Sequence, residues 1–290
     1  STGESVVMRL LDQSSPIQEF SQLGMSPKLI EQIQKIYTEP HGMLLVTGPT
    51  GSGKTTTLYS ILSKLNRSSS KIITVEDPVE YKLPRINQVQ INPKIDLDFS
   101  RVLRAALRQD PDVIMLGEIR DQETATIAMR AAVTGHFVMA TLHTNDAMSS
   151  ALRLLDMGGK GYMLASSLRG ILAQRLIRLL CVQCAVPYEP SKEELFWISS
   201  QESLGSLSIK SPEGCSHCNQ SGYKGRKGVY EFLAINQAMA SALRQSDLDG
   251  FAKAVKDDPN FTSLKDSVLV LVKKGLTSIQ EAIRIVGSLT

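Results

Sequence analysis

The chain has 290 residues, 42% apolar and 21% charged, which is the balance of a folded globular protein rather than a disordered one. Its 32 Lys and Arg against 29 Asp and Glu leave a net charge of +3, too small an excess to point to nucleic-acid binding by itself. No apolar run approaches the ~18 residues of a membrane-spanning helix, the densest being the short Met43–Val46 and Val268–Val272, and neither a collagen-like nor a disulfide-scaffold composition is present.

Residues 1–40 read as a helical lead-in. The chain begins Ser-Thr-Gly, with neither an initiator Met nor a signal-peptide pattern, and so is expected to be a fragment of a longer cytosolic protein. Val6, Val7, Leu10 and Leu11 recur at helical spacing, and Pro27–Tyr37 carries Leu29, Ile30, Ile33 and Ile36 on one side. From residue 42 the pattern alternates. Met43–Thr47 is a short strand and Thr55–Leu65 a helix with Leu58, Ile61, Leu62 and Leu65 on one face. Lys71–Glu76, Val113–Leu116 and Phe137–Leu142 are further strands. Such alternation implies a largely parallel sheet covered on both faces. Gly161–Leu180 reads as a helix through Leu164, Leu168, Ile171, Leu172 and Leu176. Residues 198–212, rich in Ser with a Gly and a Pro, read as a flexible loop. The chain then turns helical again, and Thr277-Ser-Ile-Gln280 is similar to a capping box opening the last helix. No internal repeat is visible.

The clearest chemistry lies at Gly48-Pro49-Thr50-Gly51-Ser52-Gly53-Lys54-Thr55, which fits GxxxxGK[ST] in full between a predicted strand and helix. Its glycines let backbone N–H groups turn inward around phosphates, and the helix start adds its positive dipole end. Lys54 is expected to reach the β- and γ-phosphates, and the Thr55 hydroxyl to ligate Mg²⁺. Asp112-Val-Ile-Met-Leu-Gly117-Glu118 is an apolar strand ending in an acid, with Gly117 where the Mg²⁺-coordinating Asp usually stands. Mg²⁺ prefers one or two carboxylates nearby, and Glu76, Asp77 and Glu80 follow the second strand. In a parallel sheet all carboxyl ends line one edge, so these acids can converge there unless they form only a surface turn. The fourth strand brings His143 to the same edge, to sense the γ-phosphate or serve structure. Arg101, Arg104 and Arg108 form one helical stripe, which fits either a solvated basic face or an arginine finger for a neighbouring subunit. Arg120 could act likewise or pair with a carboxylate.

All four cysteines fall in two pairs, Cys181-x-x-Cys184 and Cys215-x-x-Cys218, separated by residues 185–214. Two such pairs can set four thiolates around one Zn²⁺, although this gap exceeds the usual ribbon spacing. Redox pairs or unrelated buried thiols are the alternatives. A closed four-sulfur site leaves no open position for water, so any zinc there is structural.

Four stretches together resemble one family: Gly48–Thr56, the acidic box Ile73–Glu80, Leu107–Asp121 and Thr134–Asn145. They are similar to the secretion ATPases that power type II secretion and type IV pilus assembly, and the likeness extends over nearly the whole chain. The resemblance implies an α/β, RecA-like P-loop ATPase core over 41–180. A tetracysteine zinc-binding element over 181–229 and a C-terminal helical region over 230–290 would follow, with N-terminal domains absent. It implies ATP, Mg²⁺ and Zn²⁺ as ligands, with Gly48–Thr56, Arg9, Glu76 and Asp77 at the nucleotide. Glu118 would be the catalytic glutamate, with Lys54, Glu80, His143, Arg104 and Arg108 assisting beside it or across a subunit interface. Family members act as hexamers on the cytoplasmic face of the bacterial inner membrane, held there by partners such as an inner-membrane platform protein. The paired cysteines favour an assembly or secretion enzyme over a retraction enzyme.

The alternative is a RecA-like nucleic-acid translocase with a zinc ribbon. Only Tyr223-Lys-Gly-Arg-Lys227 interleaves aromatic and basic residues, and seven Tyr, seven Phe and one Trp are few for stacking on bases, so no stable nucleic-acid partner is expected.

Overall fold

The computed structural model describes residues 3–6, 17–198 and 208–287. Most of the expected first helical segment and Arg9 lie outside the described residues, as does most of the expected loop at 198–212. The ordered elements begin with α1 (Pro27–Tyr37), β1 (Gly42–Thr47), α2 (Lys54–Leu65), β2 (Ile72–Glu76) and β3 (Asn87–Gln90). They continue through α3 (Phe99–Leu107), β4 (Val113–Leu116), α4 (Gln122–Val133), β5 (Phe137–Leu142), α5 (Ala147–Asp156) and α6 (Gly161–Ser167). Next come β6 (Leu168–Leu180), β7 (Ala185–Pro187), α7 (Lys192–Ile198), β8 (Lys210–Pro212) and β9 (Tyr223–Ala234). Four helices close the chain: α8 (Gln237–Gln245), α9 (Leu248–Lys256), α10 (Leu264–Lys273) and α11 (Ile279–Val286).

One seven-stranded sheet runs in the order β3-β2-β4-β5-β1-β6-β9, parallel throughout except for the antiparallel β6–β9 pair. Along β1 the side chains alternate between two cores. Met43 and Leu45 pack toward a large cluster with α4, α6 and α10, while Leu44 and Val46 pack toward α1 and α2. Burial on both faces is why these strands read as continuous apolar runs. The order places β5 between the phosphate-loop strand β1 and the acid-bearing β4, so the tip of β5 lies between loop and acid.

The helix expected over Gly161–Leu180 is corrected. Only Gly161–Ser167 is helical, and Leu168–Leu180 is the 13-residue strand β6. It pairs with β1 on one side and β9 on the other, and those two ladders overrule the helical preference of its Leu, Ala, Gln and Arg residues. The strand β9 spans the boundary drawn between residues 229 and 230, and joins the main sheet. Ser278, not Thr277, caps α11, because the Thr277 hydroxyl donates instead to the Arg178 carbonyl at 2.8 Å.

Candidate functional site

The loop between β1 and α2 is shaped by two glycines that admit no side chain. Gly48 has φ +147° and a Cβ there would stand 2.4 Å from the Gln174 carbonyl oxygen; Gly53 has φ +88° and its Cβ would stand 2.8 Å from Gln174 Nε2. Gly53 is also the N-cap of α2 and offers no capping side chain, so the first-turn N–H groups keep their capacity for an anion. Lys54 Nζ donates to the Gly48 and Pro49 carbonyls at 2.7 and 3.1 Å. Burial pushes its ammonium below the ordinary lysine value; Glu118 opposes that push and Arg175 adds to it. Inside the loop the buried Ser52 hydroxyl, and the Thr47 hydroxyl just before it, have no hydrogen-bond partner among the described residues. Uncapped N–H groups, a lysine at the rim and orphaned hydroxyls fit a triphosphate with its Mg²⁺.

A cleft of about 830 Å³ opens in front of this loop, lined by Thr50–Thr56, Glu76, Asp77, Glu80, Glu118, Arg120 and His143 among others. The strand tips therefore converge as a parallel sheet dictates. Glu118 follows β4, one residue past Gly117, where a Cβ would come within 3.3 Å of the Glu76 backbone. Its carboxylate accepts from the Arg120 guanidinium and lies 3.4 Å from His143 Nε2. Arg120 also donates to Asp77 at 3.1 Å, so one guanidinium links the acids of two strands. Glu118 first and Asp77 after it hold its charge firmly, raising its pKa above the ordinary arginine value.

Glu76 lines the cleft, yet its carboxylate is only 2% exposed and faces α2. It accepts from the Tyr59 and Thr74 hydroxyls and, at 3.2 Å, from Gln88 Nε2. Burial first, then the Glu76 carboxylate, drive the Tyr59 phenol far above its ordinary pKa, so Tyr59 stays a donor. Arg104 pairs with Glu123 of α4, and Arg108 donates to the Arg104 carbonyl at 3.1 Å; neither lines this cleft.

Reading residues 168–180 as a helix hid what β6 supplies. Gln174, Arg175 and Leu176 come to the phosphate loop side by side. Gln174 bonds Ser52 and Thr57, and Leu176 lies under Gly53. Arg175 donates to the Asn145 carbonyl at 2.7 Å, just past His143. The signal available was Gly170 within the segment, which lowers the helical reading. Arg226 of β9 also lines the cleft.

The four cysteines form a second cluster. Their ligand atoms lie within 4.8 Å of one another, with Sγ–Sγ separations of 3.9 Å (Cys181–Cys215), 3.8 Å (Cys184–Cys218) and 3.7 Å (Cys215–Cys218). A disulfide needs about 2.05 Å. Four thiolates about 2.3 Å from one Zn²⁺ would instead stand about 3.8 Å apart, which these separations match. Backbone N–H groups of Cys215 and Gly222 each donate to Cys218 Sγ at 3.2 Å. Burial opposes the charged form there, but those donors outweigh it and pull the thiol down toward thiolate.

A glycine loop feeding a helix, beside parallel strands tipped with acids, defines a P-loop NTPase of RecA-like fold. The family model described as "Type II/IV secretion system protein" matches residues 1–284, and the chain belongs to that family. It is 45% identical over 98% of its length to the type II secretion system ATPase E of Vibrio cholerae, and 46% identical over 98% to the type II secretion system protein E of Dickeya dadantii. In each case the match covers 56% of the relative, so the chain spans about half the length of the curated relatives it matches. The fold is similar to that of the pilus retraction motor PilT, solved with ADP bound. The TM-score is 0.70 at 31% identity, covering 94% of this chain and 68% of that one. The ATPase DotB of Legionella pneumophila shares the fold at TM-score 0.68 and 22% identity, covering 93% of this chain and 65% of that one. Among the described residues no helix is long and apolar enough to cross a membrane.

Proposed function

We propose that the chain is the ATPase unit of a motor that hydrolyses ATP to ADP and phosphate and so powers pilin or pseudopilin assembly, in type II secretion or type IV pilus biogenesis. The observation that carries this reading is that Lys54 of the phosphate loop and Glu118 at the tip of β4 line one cleft. Loop amides and Lys54 hold the β- and γ-phosphates. Thr55 would hold Mg²⁺, which would supply positive charge against the charge that develops on the phosphates. Glu118 orients and deprotonates the water attacking in line, and His143, 3.4 Å away, steadies that carboxylate near the γ-phosphate. Asp77 and Glu80 complete the acidic rim, while Glu76, locked by Tyr59, Thr74 and Gln88, braces the rim from beneath.

Arg104 and Arg108 sit on other surfaces of the chain, so they reach a nucleotide only across a subunit interface, as in a homohexameric ring. Arg9 is proposed for the same neighbourhood. The cysteine cluster holds structural zinc. Docking on an inner-membrane platform protein would place the motor on the cytoplasmic face of that membrane. The test is Glu118→Gln. It should bind Mg·ATP as the unaltered protein does, while kcat falls by about 10²–10⁴-fold. Retained turnover would remove Glu118 from the role.

A further inference from the structure

We propose that Gln174 is the positioning residue that aims the phosphate-loop amides. It rests on the nucleotide reading above and adds to that reading a residue outside every motif of the sequence. Gln174 is 2% exposed and is the first β6 residue past the end of β1, whose Thr47 stands opposite Ala173. There the chain of β1 leaves the sheet to form the loop, so residue 174 faces the loop instead of a strand on that side. Two of the three loop glycines come up against it, Gly48 against its carbonyl and Gly53 against its side-chain amide. The next residue anchors it, since the Arg175 guanidinium donates to the Gln174 carbonyl at 3.2 Å and to the Asn145 carbonyl at 2.7 Å.

The side-chain amide has one assignable orientation. The Ser52 carbonyl can only accept, so Gln174 Nε2 faces it, at 2.8 Å; Oε1 then accepts from the Thr57 hydroxyl at 2.7 Å. A trans peptide is planar, with C=O and N–H pointing opposite ways. Holding the Ser52 carbonyl outward therefore turns the N–H of Gly53 into the cradle. This peptide turns on the ψ of Ser52 and the φ of Gly53, and Gly53 has no side chain to resist that rotation, so an external hold on the peptide is what keeps its N–H aimed. The Thr57 bond fixes the same amide to α2, and so ties the loop to its own helix. Gln174 touches no substrate atom and acts through the loop.

The experiment measures Mg·ADP and Mg·ATP affinity by calorimetry, and KM and kcat separately, for the unaltered chain, Gln174→Met and Gln174→Glu. Glu keeps the size of Gln and an acceptor for Thr57 but removes the donor to Ser52, so it remains informative if the Met variant fails to fold. Binding by the unaltered chain tests the nucleotide reading first, and its absence would sink that reading and the role of Gln174 with it. Where that binding is present, both variants should weaken Mg·ADP and raise KM about tenfold, with kcat within about twofold, the signature of lost ground-state and transition-state binding alike. A role in packing only would lower the melting temperature or the active fraction, and so kcat, with KM unmoved. That outcome, or undiminished Mg·ADP affinity in Gln174→Glu, would overturn the assignment.

Discussion

Glu281 offers a stability test whose size can be worked from the structure. Its carboxylate, 1% exposed, sits at the start of α11 and accepts four hydrogen bonds. Two come from Arg178 of β6, through the backbone N–H at 3.0 Å and Nη2 at 2.7 Å; two come from Arg284, through Nε at 2.8 Å and Nη2 at 2.7 Å. Burial works against the charged form, and Arg284 and Arg178 overcome it, lowering the carboxyl from 4.5 to about 2. At 1.36 kcal/mol per pH unit that difference has a ceiling of about 3 kcal/mol. The Arg178 and Arg284 side chains are 45% and 56% exposed, so water screens the pairs and about 1–2 kcal/mol is the expected share. A carboxyl lowered in the folded state contributes fully above its unfolded pKa and loses that contribution as pH falls toward its folded one. Glu281→Gln should therefore cost about 1–2 kcal/mol at pH 7, and the gap from the unaltered protein should narrow steadily below pH 4.5. Urea unfolding followed through the fluorescence of Trp197, buried in the main core, measures both. A gap below about 0.5 kcal/mol at pH 7, or one unchanged at pH 3.5, would refute the clamp.

Two further outcomes follow from the loop and the cysteines. Gly48→Ala would press its Cβ within 2.6 Å of Ser52 Oγ and 2.4 Å of the Gln174 carbonyl oxygen, so Mg·ADP affinity should fall more than about 100-fold with the circular dichroism of the folded chain kept; unchanged affinity would mean the loop is not the phosphate cradle. Purified protein should carry about one zinc per chain, and stripping it should lower the melting temperature by about 5–10 °C. Substoichiometric metal, or no shift on chelation, would dismiss the zinc reading.

Where burial dictated structure, the sequence announced it. The strands Val113–Leu116 and Phe137–Leu142 fall on the residues expected, because both faces of a parallel sheet are covered and each such strand is an apolar run between polar ends. The phosphate loop was equally plain, since few other folds need that glycine spacing before a helix. Side-chain direction was harder to see. Glu76 ends its strand as expected, but alternation puts it on the face of Ile72 and Thr74, toward Tyr59 of α2, where three donors hold it. Arg104 was placed on the right helix, while its pairing with Glu123 depends on how α3 meets α4, which spacing does not carry.

The misread segment is instructive because of what its residues do. Leu168–Leu180 contains Gln174, Arg175 and Arg178, good helix formers all, and its leucines happen to recur at three- and four-residue steps. Each polar residue is there for a tertiary partner: Gln174 for Ser52, Arg175 for Asn145 and Arg178 for Glu281. Arg178 also stacks on Tyr223 at 4.1 Å, beside the cysteine cluster that begins at Cys181. One strand thus ties the phosphate loop, the last helix and the cysteines within seven residues, roughly 23 Å of extended chain. A helix over the same residues would wind these groups onto several faces and draw them into about 10 Å, too short to span the three sites. The requirement for reach selects the strand, and a local scale of preferences has no access to it.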